Sequence, residues 1–428
     1  MSGADLNIDT MRRIDRLVGI PLCFLATIIL KLWWQFRRKP PRPIQRILFV
    51  ELSEMGSTTL AEPALHKASE CTGAENYFVI FARNVDALAI TGTIPRRNIF
   101  TIRTTSLWHL AIDTLAFFFW TRRNAIDTVV DLELFSRFTG LLTGFCGADR
   151  RIGFYRFNDE GLCRGDMLTH RVAYNPHIHI AKNYIALVNA LLEEAPTVPP
   201  SKTVIDDGEL SLPVRPATTS ARDATIAKIK PLISVHDPSK LRVVLINPNA
   251  GDLLPQRRWM PSRFVELMRR ILAAHDDVLV LITGATHERV QAEKLAAQCL
   301  SDRCVSIAGF LALADLPGLF SFATVMVTND SGPAHFAAAS GLPTIVLFGP
   351  ETPNLYRPLG NSTAIYAAVY PFRFYVESGG LVSYGIDQLE TVREAPSGAV
   401  TDKIQPGGEP EDREGAWSSR PGIFPFVR

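Results

Sequence analysis

"ATVMVTNDSGPAHFAAASGLPTIVLFGP", Ala323 to Pro350, decides how the rest of the chain is read. A β-branched apolar run gives way to Asp330, Ser331, Gly332 and Pro333, then to small residues at helical spacing, then to a second apolar run. Continuous apolar runs of that length fit strands buried on both faces of a parallel sheet, which need a helical crossover between them. Pro333 suits a first helical turn, Asp330 or Ser331 can cap it, and Gly341 can end it. A helix starting at the carboxyl end of a strand presents free N–H groups and a positive dipole end, a natural seat for an anion such as a diphosphate. Gly332 permits close backbone approach, and His335 one turn further can add a donor. An ordinary capped helix reads the same by spacing alone.

The pattern repeats on both sides of this stretch. "RVVLINPN" (242–249), "DVLVLITG" (277–284) and "CVSIAG" (304–309) read as further strands, with helices over "PSRFVELMRRILAAH", "THERVQAEKLAAQC" and "LADLPGLFSF". An earlier series, "RILFVEL", "NYFVIFAR", "NIFTIR" and "IDTVVDLE", alternates with "STTLAEPALHKASEC" and "SLWHLAIDTLAFFFWTRR". The fold class is therefore α/β, with two Rossmann-like halves facing a central cleft and ligands expected at the carboxyl ends of the strands. The expected divisions are an anchor and basic linker over 1–45, a first domain over 46–215, a second over 240–363, and an atypical tail over 364–428.

The net charge of +2 over 428 residues is unevenly spread, because residues 1–46 carry nine Lys/Arg against three Asp. The remainder is net acidic and offers no broad cationic surface for nucleic acid. "LVGIPLCFLATIILKLWW", Leu17 to Trp34, holds one charge in 18 residues. As a helix it extends about 27 Å, enough to cross a hydrocarbon core. Trp33 and Trp34 suit a headgroup region, and the arginines that follow place the body on the cytoplasmic face of the inner membrane by the positive-inside rule. A helix lying in the interface, or a cleaved signal peptide, fits the same run. "AFFFW", Ala116 to Trp120, fits either burial under the sheet or a membrane-facing lip. The six cysteines have no framework spacing and read as reduced thiols. His170, His177 and His179 lack a carboxylate at ligand spacing and read as a surface loop entering a helix. Asp206 and Asp207 fall in the linker. Asp131 and Glu133 end a strand on the cleft side, where they can meet an acceptor or serve as caps.

The ordered motifs "INPNAG…QRRWMPSRFVEL…LITGATHERVQAEKLA…TNDSGPAHFAAASGLPTIVLFGPETP", with "ILFVELSEMGSTTLAEPAL", "VVDLELFSR" and "GADRRIGFYR" before them, resemble glycosyltransferase family 9. These are the ADP-heptose-using lipopolysaccharide heptosyltransferases and their relatives. The resemblance runs from about Arg46 to Gly360. It implies a GT-B fold and an inverting, metal-independent transfer from a nucleotide-diphosphate sugar to an envelope glycolipid, with no cofactor. It places Asp330, Ser331, Gly332 and His335 at the donor diphosphate, Glu288 at the nucleoside ribose, and Arg257 where the family has a lysine. The family's catalytic aspartate falls on Ser57, and a hydroxyl is no base near neutral pH without a proton acceptor. Glu54, with Glu51 behind it, is the carboxylate available to take that role. A catalytically inactive sugar-nucleotide or glycolipid binder, and a nucleotide-sugar epimerase, remain rival readings. "AAVYPFRFYVESGGLVSYGIDQLE" (367–390) departs from the family and looks like the tail region of a periplasmic ABC-transporter substrate-binding protein. The stretch beyond it, rich in Gly, Pro and charge, reads as disordered, and a fusion or frameshift would account for both.

Overall fold

The computed structural model describes residues 8–36, 40–52, 55–134, 136–155, 163–193, 204–212, 214, 216–233, 240–251 and 255–366. The expectations for the tail, and those for Glu54, lie outside them. Both sheets belong to one compact unit, Met1–Ser383, and the second unit, Tyr384–Arg428, falls wholly outside the described residues.

Two helices come first, α1 (Ile8–Leu17) and α2 (Gly19–Phe36). The first sheet is built from β1 (Arg46–Val50), β2 (Glu75–Phe81), β3 (Ile99–Ile102), β4 (Thr128–Asp131), β5 (Arg150–Phe154) and β6 (His170–Val172). Its helices are α3 (Met55–Thr72), α4 (Val85–Thr91), α5 (Leu107–Arg123), α6 (Arg137–Phe145) and α7 (Ile180–Leu192). After α8 (Thr219–Ile229), the second sheet uses β7 (Arg242–Asn247), β8 (Val278–Ile282), β9 (Cys304–Ser306), β10 (Ala323–Asn329), β11 (Thr344–Phe348) and β12 (Ser362–Tyr366). Its helices are α9 (Pro261–Ala274), α10 (Arg289–Gln298), α11 (Leu316–Phe320), α12 (Gly332–Ala339) and α13 (Pro353–Tyr356).

The strand orders are β3-β2-β1-β4-β5-β6 and β12-β11-β10-β7-β8-β9, and every ladder is parallel. Counted within each half, both follow the doubly wound 3-2-1-4-5-6 order. The order reverses between β1 and β4 in the first sheet and between β7 and β10 in the second. Parallel strands covered on both faces need apolar residues on both sides, as in β1, where Ile47, Leu48, Phe49 and Val50 are all fully buried.

The cores cross between the halves. Leu359 and Tyr356, from the end of the second half, pack into the core of α3 and α7, while Ala87 of α4 belongs to the core beneath β7 and β8. Part of the stretch expected to be linker is α8, whose Ile229, followed by Ile233, is buried in that same second core. β12 runs to Tyr366, past the expected end of the second domain. One further expectation is corrected in part, since His177 is exposed in a turn as expected. His170 begins β6 and His179 caps α7, and both are buried rather than on a surface loop. Of "AFFFW", Phe117 is fully buried and Phe119 is exposed, so burial and exposure both occur within one helix turn.

The apolar N-terminal run forms α2, which by length and composition can cross a membrane. One side of it, Cys23, Ala26 and Leu30, packs on Leu141 and Phe145 of α6 and on Met167.

Candidate active site

The two switch points face one another. On the first sheet, β1 ends at Val50 and α3 begins at Met55, with Glu51 and Leu52 buried between them. Three contacts fix this turn. The Leu52 N–H donates to Glu133 Oε1 at 3.1 Å, Asn84 Nδ2 donates to the Leu52 carbonyl at 3.0 Å, and the Phe81 N–H donates to the same carbonyl at 3.3 Å. Glu133 itself is held because its N–H donates to Asp131 Oδ1 at 3.1 Å. Asp131 pairs with Arg164, whose guanidinium also donates to the carbonyls of Glu133 and Ser136. Burial pushes the Asp131 carboxyl up and Arg164 pulls it back. Asp131 and Glu133 thus brace the turn after β1.

On the second sheet, Asn329 ends β10 fully buried. Its Nδ2 donates to the Pro248 carbonyl at 2.8 Å and its Oδ1 accepts from the Trp259 N–H at 3.0 Å. It ties together the loops after β7 and before α9. Asp330 follows, 4% exposed, its N–H donating to the Leu347 carbonyl at 3.1 Å. Ser331 occupies the cap position of α12 with extended backbone, but its hydroxyl turns back to the Asn329 carbonyl at 3.2 Å and accepts nothing from the helix. The expectation of a side-chain cap on Ser331 is not met; Pro333 has no N–H and the Ala334 N–H donates to the Ser331 carbonyl at 3.0 Å, so the Gly332 N–H is the donor this turn presents. Gly341, at φ 83°, ends the helix as expected, its N–H donating to the Ala338 carbonyl.

Between these turns the halves touch. A Cβ placed on Gly56 would lie 2.8 Å from His335 Cδ2 and 3.1 Å from its Nε2. A Cβ on Gly332 would lie 3.8 Å from Met55 Cβ, an ordinary contact, so glycine is not sterically required at 332 in the way it is at 56. The starts of α3 and α12 abut through Gly56 and His335. His335 is 6% exposed, and its Nδ1, among the described residues, has no hydrogen-bond partner. Burial, then the charges of His179 and Arg257, push its pKa down to about 3. The ring is neutral at physiological pH, so it offers one N–H rather than a positive charge.

Arg257 reaches the same place from a short 3-10 turn, Pro255–Arg257. Its Nε lies 3.6 Å from Asp330 Oδ2 and its Nη2 lies 3.5 Å from Glu351 Oε1. Both separations exceed a hydrogen bond, leaving N–H groups available. Glu288 stands farther along the second sheet, where its Oε2 accepts from the Ala285 N–H at 2.7 Å. It lies next to Gly284, whose added Cβ would come 3.1 Å from Glu288 Oε2 and 2.9 Å from Asn249 Nδ2. Asn249 Nδ2 is buried without a hydrogen-bond partner among the described residues.

The second switch point therefore collects Asp330, Ser331, Gly332, His335 and Arg257, with Ser57 of α3 buried across the contact. Glu288 and Asn249 sit beyond, at the ends of β7 and β8. Sequence reasoning missed Asn329, Asn249 and Glu351. Two of them sit in "INPNAG" and "VTND", where an amide follows a buried strand, and that is the signal that could have found them.

Two doubly wound parallel sheets whose switch points meet define a GT-B fold. A family model described as glycosyltransferase family 9 (heptosyltransferase) matches residues 122–371, more than half of the chain, and the protein belongs to that family. The lipooligosaccharide heptosyltransferase 2 of Haemophilus influenzae is 34% identical over 113 residues, covering 26% of this chain and 32% of that protein. The lipopolysaccharide heptosyltransferase 2 of Escherichia coli K12 is 30% identical over 113 residues, with the same coverages. The chain spans about a third of the length of these curated relatives. Among solved structures, the E. coli ADP-heptose lps heptosyltransferase II superposes with a TM-score of 0.60 at 19% identity, over 76% of this chain and 92% of that one. A family 9 glycosyl transferase from Veillonella parvula does so with a TM-score of 0.60 at 17% identity, over 76% and 87%. The E. coli heptosyltransferase WaaC with ADP gives 0.55 at 17%, over 76% and 94%.

Proposed function

We propose that this protein transfers a sugar, a heptose first among candidates, from a nucleoside-diphosphate donor to an envelope glycolipid on the cytoplasmic side of a membrane. The observation that carries the reading is the start of α12, where the Gly332 N–H, the neutral His335 and the partly paired Arg257 converge beside the start of α3. A diphosphate seated there loses its sugar with its charge already met by N–H groups and a guanidinium, which lowers the barrier to leaving-group departure. Asp330 and Glu351 orient the guanidinium. Glu288 and Asn249, at the ends of the neighbouring strands, line the direction in which a nucleoside would extend.

An acceptor hydroxyl attacks the anomeric carbon from the side opposite the diphosphate. The C–O bond to phosphate breaks as the new one forms, and the hydroxyl proton passes to a base, inverting the centre. Ser57 cannot be that base alone, and we assign the role to Glu54, which precedes α3 where the family carries its catalytic residue. Buried Glu51 is the reserve candidate. The serine at 57 sustains a second reading, a binder of the same nucleotide sugar without turnover.

Nucleotide release from a panel of ADP- and UDP-sugars, run with and without chelator, tests all of this. Turnover with ADP-heptose that survives chelator is expected. Glu54→Gln should lower it by about 10²-fold with donor affinity little changed, while Ser57→Ala costs far less. Donor binding without release in the parent and in Ser57→Asp would establish the binder. Loss of turnover in chelator would overturn metal independence.

A further inference from the structure

The outward side of α5 is apolar from Trp108 to Phe119. Trp108, Ile112, Leu115 and Phe119, spaced by four, three and four residues, are 78%, 52%, 63% and 77% exposed. This stripe lies opposite Phe117, Asp113 and Thr121, which face the sheet. A helix so placed has a second apolar face with nothing among the described residues covering it.

That face does not stand alone. Phe145 of α6 meets Phe118 of α5 with ring centres 6.2 Å apart, and also packs on the Cys23–Ala26–Leu30 side of α2. α2 and α5 therefore flank α6 on one side of the first sheet. The outward side of α2, which includes Phe24, Leu25, Ile28, Ile29, Leu32 and Phe36, is exposed and apolar too.

Both ends of α2 are tied to the body. Before it, Asp15 of α1 pairs with Arg137 of α6 at 3.1 Å and accepts the Phe138 N–H at 2.8 Å. Midway, the Asp166 N–H donates to Thr27 Oγ1 at 2.9 Å, and Lys31 pairs with the Asp166 carboxylate. Near its end, the Arg151 guanidinium lies 4.0 Å over the Trp34 ring, and Arg42 pairs with Asp149 at 2.6 Å. A helix that crossed the hydrocarbon would carry Asp166, Arg137 and Arg151 into it, at a cost no burial of α2 offsets. Lying flat, its outward side enters the interface and the body stays in water.

The charge around these faces is positive. Arg12, Arg13 and Arg16 of α1 and Arg122 and Arg123 of α5 are exposed. Asp15 and Asp113 are turned inward onto Arg137 and Arg103. We infer that α1, α2 and α5 form one docking face for a bilayer with anionic headgroups, with α2 in the plane of the interface and the Trp108–Phe119 stripe as a second inserted edge. Basic rims and two apolar helix faces on one side of a sheet suit anionic lipid better than a second copy of a chain bearing the same positive rim. The inference rests on the membrane-surface reading above and specifies how the contact is made.

The full-length protein is mixed with sealed vesicles of phosphatidylethanolamine and phosphatidylglycerol, and with phosphatidylcholine vesicles alone, then floated on a density gradient. The parent should float with the anionic vesicles. Ile112→Glu/Phe119→Glu, both on exposed positions, should lower partitioning by about tenfold or more while leaving far-UV circular dichroism and melting unchanged. An impermeant amine reagent, read at the N-terminal peptide, should label the bound protein equally with and without detergent. If the parent fails to float, the membrane reading itself falls, and this inference with it. If the parent floats and the double variant floats equally, α5 is not part of the face and only this inference is lost. Self-association that the variant abolishes without change in flotation would assign the stripe to a second copy and overturn it. Labelling only after detergent would mean that α2 crosses the bilayer.

Discussion

Gly56→Ala tests the contact between the two switch points. The added methyl carbon would sit 2.8 Å from His335 Cδ2, 3.1 Å from Nε2 and 3.5 Å from Cγ. Comfortable carbon–carbon contact begins near 3.5 Å, so either the start of α3 retreats by about 0.7 Å or the imidazole tilts. The ring is buried, so a tilt must displace the side chains packed around it. Overpacking of this kind costs about 1–3 kcal/mol, against which alanine in a helical turn regains up to about 1. The net loss, about 1–2 kcal/mol, lowers the melting midpoint by a few degrees. The control is Gly208→Ala, because a Cβ at Gly208 meets nothing within 4 Å. If the start of α12 seats a diphosphate, ADP affinity measured by titration calorimetry should also fall, by about 5- to 30-fold for a loss of that size. Gly56→Ala melting like Gly208→Ala would refute the contact. A normal ADP affinity in a destabilised Gly56→Ala would keep the contact and remove the diphosphate from it.

Two other outcomes follow from single residues. His179 caps α7, its ring within 2.9 Å of the Arg357 carbonyl, and burial lowers its pKa to about 4. As pH falls below about 6.5 the unfolded chain takes up this proton and the folded one does not, so stability is lost from there down to about pH 4, in total about 3 kcal/mol. Urea midpoints measured from pH 7 to pH 4.5 should decline, and His179→Gln should reduce the slope by about one proton's worth; an unchanged slope would place the titration elsewhere. Arg257→Ala should weaken ADP binding by about 10- to 100-fold, whereas Arg257→Lys should stay within several-fold of the parent, since a charge near the phosphates survives. Equal binding by all three proteins would remove Arg257 from the site.

Much of the fold was legible because parallel strands leave an unmistakable trace. "RILFV", "VLVLI" and "TIVLF" cannot be half-exposed strands, and their alternation with helices dictates crossovers and hence switch points. β6 and β12 escaped for the opposite reason. "HRV" is three residues long and its strand depends on pairing with β5, while "STAIY" at the sheet edge carries too few apolar residues to stand out. His179 looked like a surface residue because it closes the loop "NPHIH" at the entry to a helix; what buries it is the Arg357 segment, 178 residues away. The stretch containing α8 looked like linker because "TSARDATIAKI" has no apolar face beyond Thr225 and Ile229, and α11 supplies the packing. Within the site, Asp330, His335 and Arg257 were readable as chemistry. The closeness of Gly56 to His335 was not, since it depends on how two separately wound sheets meet.

The arginine at 257 bears on whether this geometry can hold an anion at all. A diphosphate brought next to Asp330 and Glu351 meets two carboxylates, and repulsion would defeat binding unless a cation lies among the three. A lysine ammonium is a compact point charge that approaches one anion closely. The guanidinium is planar with five N–H donors in fixed directions. At 3.6 Å from Asp330 and 3.5 Å from Glu351 it is attracted by both without closing a fork on either, and its Nε, buried, makes no hydrogen bond among the described residues. Such a group can stay between the carboxylates and still turn an N–H edge toward a third anion. The Gly332 N–H, which Ser331 does not cap, and the ring N–H of a neutral His335 add donors that bring no carboxylate with them. The departure from lysine is therefore compatible with diphosphate binding, and it makes the position less tolerant of losing Glu351, the partner that keeps the guanidinium from collapsing onto Asp330.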